Sequence, residues 1–332
     1  MKVGVLGAGS WGYSLASLLA AKGYHTISWT QRLELVKQLS ETREHPYLQG
    51  HKSVGHMEFT TDLEQAIQGV DLLVESVTSK GIRPVFEQVK AFKTPSCPIV
   101  ITSKGIEQNT GLILPDVVVE VLGEHTRPQV AFLSGPSFAQ DVIRGLPTSV
   151  VGAAYDHHVM KIVSNTFNTL NFRVYPNTDI HGVAYGGALK NIIAIACGMA
   201  EGLNLGHSAK AALMTRGLHE IRKLAVARGC RAETLNGLSG MGDLCLTCNS
   251  LLSRNYRFGY LLAEGLKPQE ASKKIEMVVE GAYTCVSTLQ LCKQLNVSMP
   301  ITEIVYKIVY EDLSPQEAVK ALMQRTIKEE HL

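Results

Sequence analysis

A chain of 332 residues exceeds the comfortable size of one hydrophobic core, so two domains are expected. Its composition, 45% hydrophobic and 19% charged, is ordinary for a soluble globular protein. A formal charge of +2 with no dense Lys/Arg cluster argues against a nucleic-acid partner. Met1-Lys2 runs straight into an apolar strand, so no signal or transit peptide is expected. Seven cysteines, odd in number and irregular in spacing, fit reduced thiols in a cytosol.

Lys2–Leu6 is a short apolar run that leads into Gly7-Ala-Gly-Ser-Trp-Gly12. An amphipathic segment follows from Tyr13 to Lys22, stops at Gly23, and gives way to a second strand at His25–Thr30. Strand, G-x-G-x-x-G, helix and strand in that order form a dinucleotide-binding fingerprint. Gly7 permits the tight turn, Gly9 lets backbone approach a pyrophosphate, and Gly12 allows close helix–strand packing. The N–H groups of Ser10 and Trp11 would face the phosphates at the helix N-terminus. The second strand ends Trp29-Thr-Gln-Arg32, with no acid before Glu34. An acid there would bind a ribose 2′-OH, whereas Arg32 suits a 2′-phosphate. That favours NADP(H) and leaves NAD(H) open.

The alternation continues. Thr61-Asp-Leu-Glu64 reads as a capping box, Asp71–Val77 as a strand and Ile82–Phe92 as a helix. Pro98–Thr102 is a strand ending at Ser103-Lys104-Gly105. Gln129–Leu133 is another, ending at Ser134-Gly-Pro-Ser-Phe-Ala139. Strands near Thr148–Gly152 and Phe172–Tyr175 would close the sheet. Ligands of a parallel sheet gather at the carboxyl ends of its strands, where Lys104 and the 135–139 turn both fall.

From about Asp179 the period becomes helical. Ile180–Glu201 is the longest apolar run, and Lys190 and Asn191 interrupt it. Apolar residues on every face predict a buried helix, and the central polar pair argues against a membrane span. Gly182, Gly186 and Gly187 cost roughly 1 kcal/mol each against Ala, so packing must hold the helix together. Burial would bring the Lys190 pKa toward acid/base range. Further helices are predicted at Ser208–Arg228, Pro268–Ile275, Thr284–Leu295 and Ile301–Glu311, and one starting at the Ser314 cap.

Gly237–Asp243 reads as a glycine-rich loop that delivers an acid. Ser253-Arg254-Asn255 reads as a capped helix start suited to a phosphate. Cys245 and Cys248 form a C-x-x-C with no second pair at zinc spacing, so two buried thiols and no metal are expected.

Taken in order, these motifs closely resemble the bacterial-type NAD(P)-dependent glycerol-3-phosphate dehydrogenases. The set is Gly7–Gly12, Ser103–Gly105, Ser134–Ala139, Gly187-Ala-Leu-Lys-Asn191, Gly242-Asp243, Ser253–Asn255, Val279-Glu-Gly281 and Met299-Pro-Ile301. The resemblance spans nearly the whole chain. It implies an α/β fold in which an N-terminal Rossmann domain (1–178) precedes an all-α C-terminal domain (179–332), in the 6-phosphogluconate-dehydrogenase-like manner. It also implies an active site in the cleft between them. Lys190 would be the acid/base, with Lys104 and Asp243 near the reacting carbon. Gly135, Ser137, Asp243, Ser253, Arg254 and Asn255 would hold the substrate. Ser10, Trp11, Arg32, Lys104, Ala139, Arg254, Val278 and Glu280 would touch the cofactor. The residues Thr30-Gln-Arg32 vary within the family, so cofactor preference does not transfer with the resemblance.

Resemblance further implies a cytoplasmic homodimer without membrane insertion, acting on a small phosphate substrate and feeding phospholipid synthesis. Two rivals are a carboxylate-substrate enzyme of the β-hydroxyacid dehydrogenase or ketopantoate reductase type and a non-catalytic NADP-binding sensor. The Ser253–Asn255 phosphate clamp speaks against the first. The joint presence of Lys190, Lys104 and Asp243 speaks against the second.

Overall fold

A computed structural model describes residues 1–327, 329 and 330. The chain divides into two compact units: Met1–Ser103 with Leu114–Ile180, and Lys104–Ile113 with His181–Leu332.

The first unit carries one eight-stranded sheet: β1 Lys2–Leu6, β2 His25–Trp29, β3 Met57–Thr60, β4 Leu72–Glu75, β5 Ile99–Ile101, β6 Val130–Ser134, β7 Thr148–Ala154 and β8 Phe172–Asn177. The spatial order is β3-β2-β1-β4-β5-β6-β7-β8. Its first six strands follow the doubly wound Rossmann order, whose direction reverses between β1 and β4. Every neighbouring pair is parallel except β6 and β7, so the sheet is mixed rather than wholly parallel as expected. The intervening helices are α1 Ser10–Ala21, α2 Leu33–Thr42, α3 Leu63–Ile67, α4 Ile82–Phe92, α5 Leu114–Leu122, α6 Ala139–Ile143 and α7 His157–Phe167. Val3, Val5, Leu72, Val74, Val100 and Leu133 share a core with Tyr13, Leu15 and Leu19 of α1. The expected capping box at Thr61 is displaced by one residue. Asp62 caps α3, and its Oδ1 accepts the Glu64 N–H at 2.9 Å.

The second unit is helical: α8 Ile180–Gly202, α9 Gly206–Ala227, α10 Ala232–Asn236, α11 Asp243–Cys248, α12 Arg254–Ala263, α13 Pro268–Ile275, α14 Glu280–Leu295, α15 Pro300–Tyr310 and α16 Pro315–Met323. The predicted loop at 237–243 is instead a wide helical turn, Leu238–Gly242, running directly into α11. Ser314 closes a capping box with Glu317 at the start of α16.

The first unit was expected to run unbroken to residue 178. In the structure Lys104–Ile113 leaves it and packs with the second unit. Hydrogen bonds to α14 explain the excursion. Ser287 Oγ donates to the Ile106 carbonyl at 2.9 Å, and Gln108 Nε2 donates to the Tyr283 carbonyl at 3.1 Å.

Helix α8 is long and apolar enough to cross a membrane by length and composition, with a mean hydropathy of 1.4 over 18 residues, despite Lys190 and Asn191. That window is wholly buried in the protein. Its glycines permit close approach. A Cβ on Gly198 would lie 2.0 Å from the Tyr256 carbonyl oxygen of α12, and one on Gly259 of α12 would lie 2.0 Å from that of Ile195. The two helices therefore cross in backbone contact. Gly198→Ala is expected to lower stability by at least about 1–3 kcal/mol through overpacking, despite its better helix propensity. Chemical denaturation checks this, and an unchanged midpoint would show that the crossing yields without cost.

Candidate active site

Strand β1 delivers the chain to the glycine turn, and α1 starts immediately after it. Gly7 has φ +109°, and a Cβ there would meet the Ser76 carbonyl oxygen at 2.4 Å. A Cβ on Gly12 would lie 2.0 Å from the Gly7 carbonyl oxygen. These two glycines are required by close backbone packing. Gly9 differs: a Cβ there would meet nothing within 4 Å. Gly9 caps α1 without any side-chain hydrogen bond, so the first N–H groups of the helix, those of Ser10 and Trp11 among them, face outward without helical acceptors. Open space above an uncapped helix N-terminus, at the point where strand order reverses, is a cradle that fits a dinucleotide pyrophosphate.

Arg32 is the exposed N-cap of α2, just beyond the end of β2. Ala139 starts α6, which is tied to α1 by Ser14 Oγ donating to the Ala139 carbonyl at 3.0 Å. Gly135 has φ +156° and packs on Val150, and Ser137 Oγ donates to the Gly135 carbonyl at 3.1 Å. The first unit thus holds Gly7, Gly9, Ser10, Trp11, Gly12, Arg32, Gly135, Ser137 and Ala139.

Lys104, Lys190, Asp243, Ser253, Arg254, Asn255, Val278 and Glu280 all belong to the second unit. Three of them meet directly. Lys190 Nζ on α8 donates to Asp243 Oδ1 at 2.5 Å, and Lys104 Nζ donates to Asp243 Oδ2 at 2.5 Å. Asp243, the first residue of α11, is 1% exposed, and Lys190 is 7% exposed. One turn on, Thr247 accepts a second bond from Lys190 Nζ at 2.6 Å and donates its own hydroxyl proton to the Asp243 carbonyl at 2.6 Å. Thr247 therefore orients the lysine. Burial pulls the Lys190 ammonium down to about pKa 8. Asp243 opposes that fall and the Lys104 charge adds to it.

Ser253 caps α12, its Oγ accepting the Tyr256 N–H at 3.2 Å. Asn255 Oδ1 accepts the Gly281 N–H at 2.9 Å, which commits that oxygen to anchoring α14. A Cβ on Gly281 would meet the Asn191 carbonyl oxygen at 2.6 Å, so Val279-Glu-Gly281 carries a glycine for close packing of α14 against α8. Arg254 lies beside Met277, its Nη1 3.8 Å from the sulfur. Burial lowers its guanidinium pKa, partly opposed by the Glu280 charge. Val278 is 38% exposed.

Sequence reasoning missed Glu75, the fully buried last residue of β4. Its carboxylate accepts the Val77 N–H at 2.7 Å and the Ser103 hydroxyl at 2.8 Å, joining the ends of β4 and β5. Burial raises its pKa to about 7. The available signal was an acid closing the apolar run Leu-Leu-Val-Glu. The C-x-x-C expectation needs one correction: Cys248 is buried but Cys245 is only half-buried. Among the described residues, no group of three metal-ligating side chains includes either thiol.

A doubly wound sheet with a phosphate-cradling glycine turn, followed by a helical unit with a buried lysine–carboxylate pair, defines a Rossmann-type dehydrogenase. The comparisons narrow this. A family model described as the NAD-dependent glycerol-3-phosphate dehydrogenase N-terminus matches residues 2–160, and its C-terminal counterpart matches 179–320. The chain belongs to this family. A protein of Protochlamydia amoebophila named glycerol-3-phosphate dehydrogenase (NAD(P)+) is 66% identical, with 100% of this chain and 99% of that protein covered. One of the same name from Chlamydia pneumoniae is 54% identical over 99% of each. The crystal structure of glycerol-3-phosphate dehydrogenase from Coxiella burnetii matches with a TM-score of 0.93 at 37% identity, covering 98% of this chain and 99% of that one. A ketopantoate reductase from Ralstonia eutropha shares the fold at 15% identity, with a TM-score of 0.61.

Two outcomes test the site. Arg32→Ala is expected to raise KM for NADPH more than for NADH in steady-state kinetics. Equal changes would show that Arg32 does not read the 2′-phosphate. Treatment with EDTA is expected to leave turnover unchanged, and a loss restored by zinc would make Cys245 and Cys248 metal ligands.

Proposed function

We propose that this chain interconverts dihydroxyacetone phosphate and sn-glycerol 3-phosphate with NADPH or NADH, with Lys190 as general acid/base. The observation that carries this reading is Lys190 Nζ held between Asp243 and Thr247 in a buried site. When bound, the nicotinamide supplies or accepts the hydride at the substrate's C2. As C2 is reduced, negative charge develops on its oxygen. A lysine ammonium can stabilise that alkoxide and then protonate it. In the reverse direction neutral Lys190 takes the hydroxyl proton. Asp243 compensates the charge of both Lys190 and Lys104, so the two cations tolerate each other beside a reacting oxygen.

Arg254 at the start of α12 suits the substrate phosphate or the cofactor pyrophosphate, with Ser253 and Asn255 holding that helix start in place. Gly135 and Ser137 are assigned to the substrate, and Ala139, Val278 and Glu280 to the cofactor. Family membership favours the phosphate substrate over a carboxylate one. The protein is assigned to the cytoplasm as a homodimer, where its product would supply phospholipid synthesis.

The test is oxidation of NADPH and NADH with dihydroxyacetone phosphate. Lys190→Met is expected to lower kcat by roughly 10²–10⁴-fold. Retained turnover would overturn the assignment. The pH profile carries a sign. Reduction needs the ammonium, so its kcat/KM is expected to fall as pH rises through about 8. Oxidation needs the free amine and should rise through the same range. Profiles with the same sign in both directions would remove Lys190 from the proton transfer.

A further inference from the structure

We propose that His25, His56 and Glu58 form a binding site for a divalent transition-metal cation, probed here as Zn²⁺, at the amino-terminal ends of β2 and β3. Parallel register brings the three side chains together. Thr26 lies opposite Met57, so His25 lies opposite His56, and the Thr26 N–H donates to the His56 carbonyl at 3.0 Å. Glu58 is two residues beyond His56, which puts it on the same face of the sheet. Rigid strand pairing, rather than a loop, therefore sets the spacing of the donors.

Both imidazole Nε2 atoms converge on one oxygen. His25 Nε2 is 2.8 Å and His56 Nε2 3.5 Å from Glu58 Oε1. Bonds of about 2.0–2.1 Å in a tetrahedral zinc site separate ligand atoms by roughly 3.4 Å, close to this spacing. The rings stack at 3.8 Å between centroids with an interplanar angle of 2°. His56, with 65% of its side chain exposed, has room to turn its ring onto a shared ion, and solvent can reach the site. Two imidazoles and one carboxylate suit zinc and its transition-metal neighbours rather than Ca²⁺ or Mg²⁺, which prefer oxygen ligands. Water would complete the coordination.

The site lies at the far end of β2 from the glycine turn. Gly7 N–H donates to the carbonyl of Trp29, the last residue of β2, whereas His25 is its first. The ion would thus staple edge strand β3 to β2 without touching the chemistry.

The test uses tag-free, chelator-stripped full-length protein titrated with ZnCl₂ by calorimetry at neutral pH. One site is expected, with affinity reduced at least tenfold, as an order of magnitude, in His56→Ala and in Glu58→Gln. Zinc should raise Tm in the parent but not in these variants, and binding should weaken toward about pH 5, because imidazole ligates only when neutral. Both variants should keep parental turnover without zinc, which shows that they fold. Absence of binding at millimolar zinc, or parental affinity in either variant, would overturn the proposal. The latter would place the ion elsewhere, for example on a thiol.

Discussion

Two ammonium groups share one buried carboxylate, and the second unit is built around that arrangement. Removing three charged groups from water is costly, and the attraction between them offsets the cost only when the geometry is tight. Breaking such a pair costs about 3–5 kcal/mol, because a charge is left buried without its partner. The surrounding elements meet this demand. Helix α8 presents Lys190 from within its long buried stretch. Helix α11 carries Asp243 as its first residue and holds it buried. Thr247 supplies the remaining acceptor one turn later. The 104–113 segment is pinned to α14 by Ser287 and Gln108, which brings Lys104 to the same carboxylate.

This arrangement also sets the lysine pKa that the proposed acid/base role requires. Burial alone would favour the neutral amine, and Asp243 alone would favour the ammonium. Acting together, with Lys104 tipping the balance, they leave Lys190 at about 8, where both forms are accessible.

Glycine performs one physical task at several places. Gly7 and Gly12 bring the turn against Ser76 and against itself. Gly198 and Gly259 let α8 and α12 touch through their backbones, and Gly281 lets α14 approach Asn191. In each case a methyl group would collide with a carbonyl oxygen. Gly9 alone among these faces open space, so packing does not account for it.

The sequence by itself determined what local rules determine. The glycine turn between strand and helix, the extent of Ile82–Phe92 and Pro268–Ile275, the Ser253 and Ser314 caps and the burial of Ile180–Glu201 all follow from periodicity and capping chemistry within a few residues. Strand β3 was not foreseen, because its four residues, Met-Glu-Phe-Thr, are too few to show a period. The 237–243 stretch read as a loop because four of its seven residues are glycine or serine, yet packing against α10 makes it helical. A Cβ on Gly240 would lie 2.0 Å from the Leu235 carbonyl oxygen. Only tertiary structure decided that Lys190, Lys104 and Asp243 share one carboxylate, that Thr247 holds the lysine and that Glu75 joins two strand ends. Asp243 is 53 residues from Lys190 and 139 from Lys104. Contacts across such separations depend on how the elements pack, which no local pattern encodes.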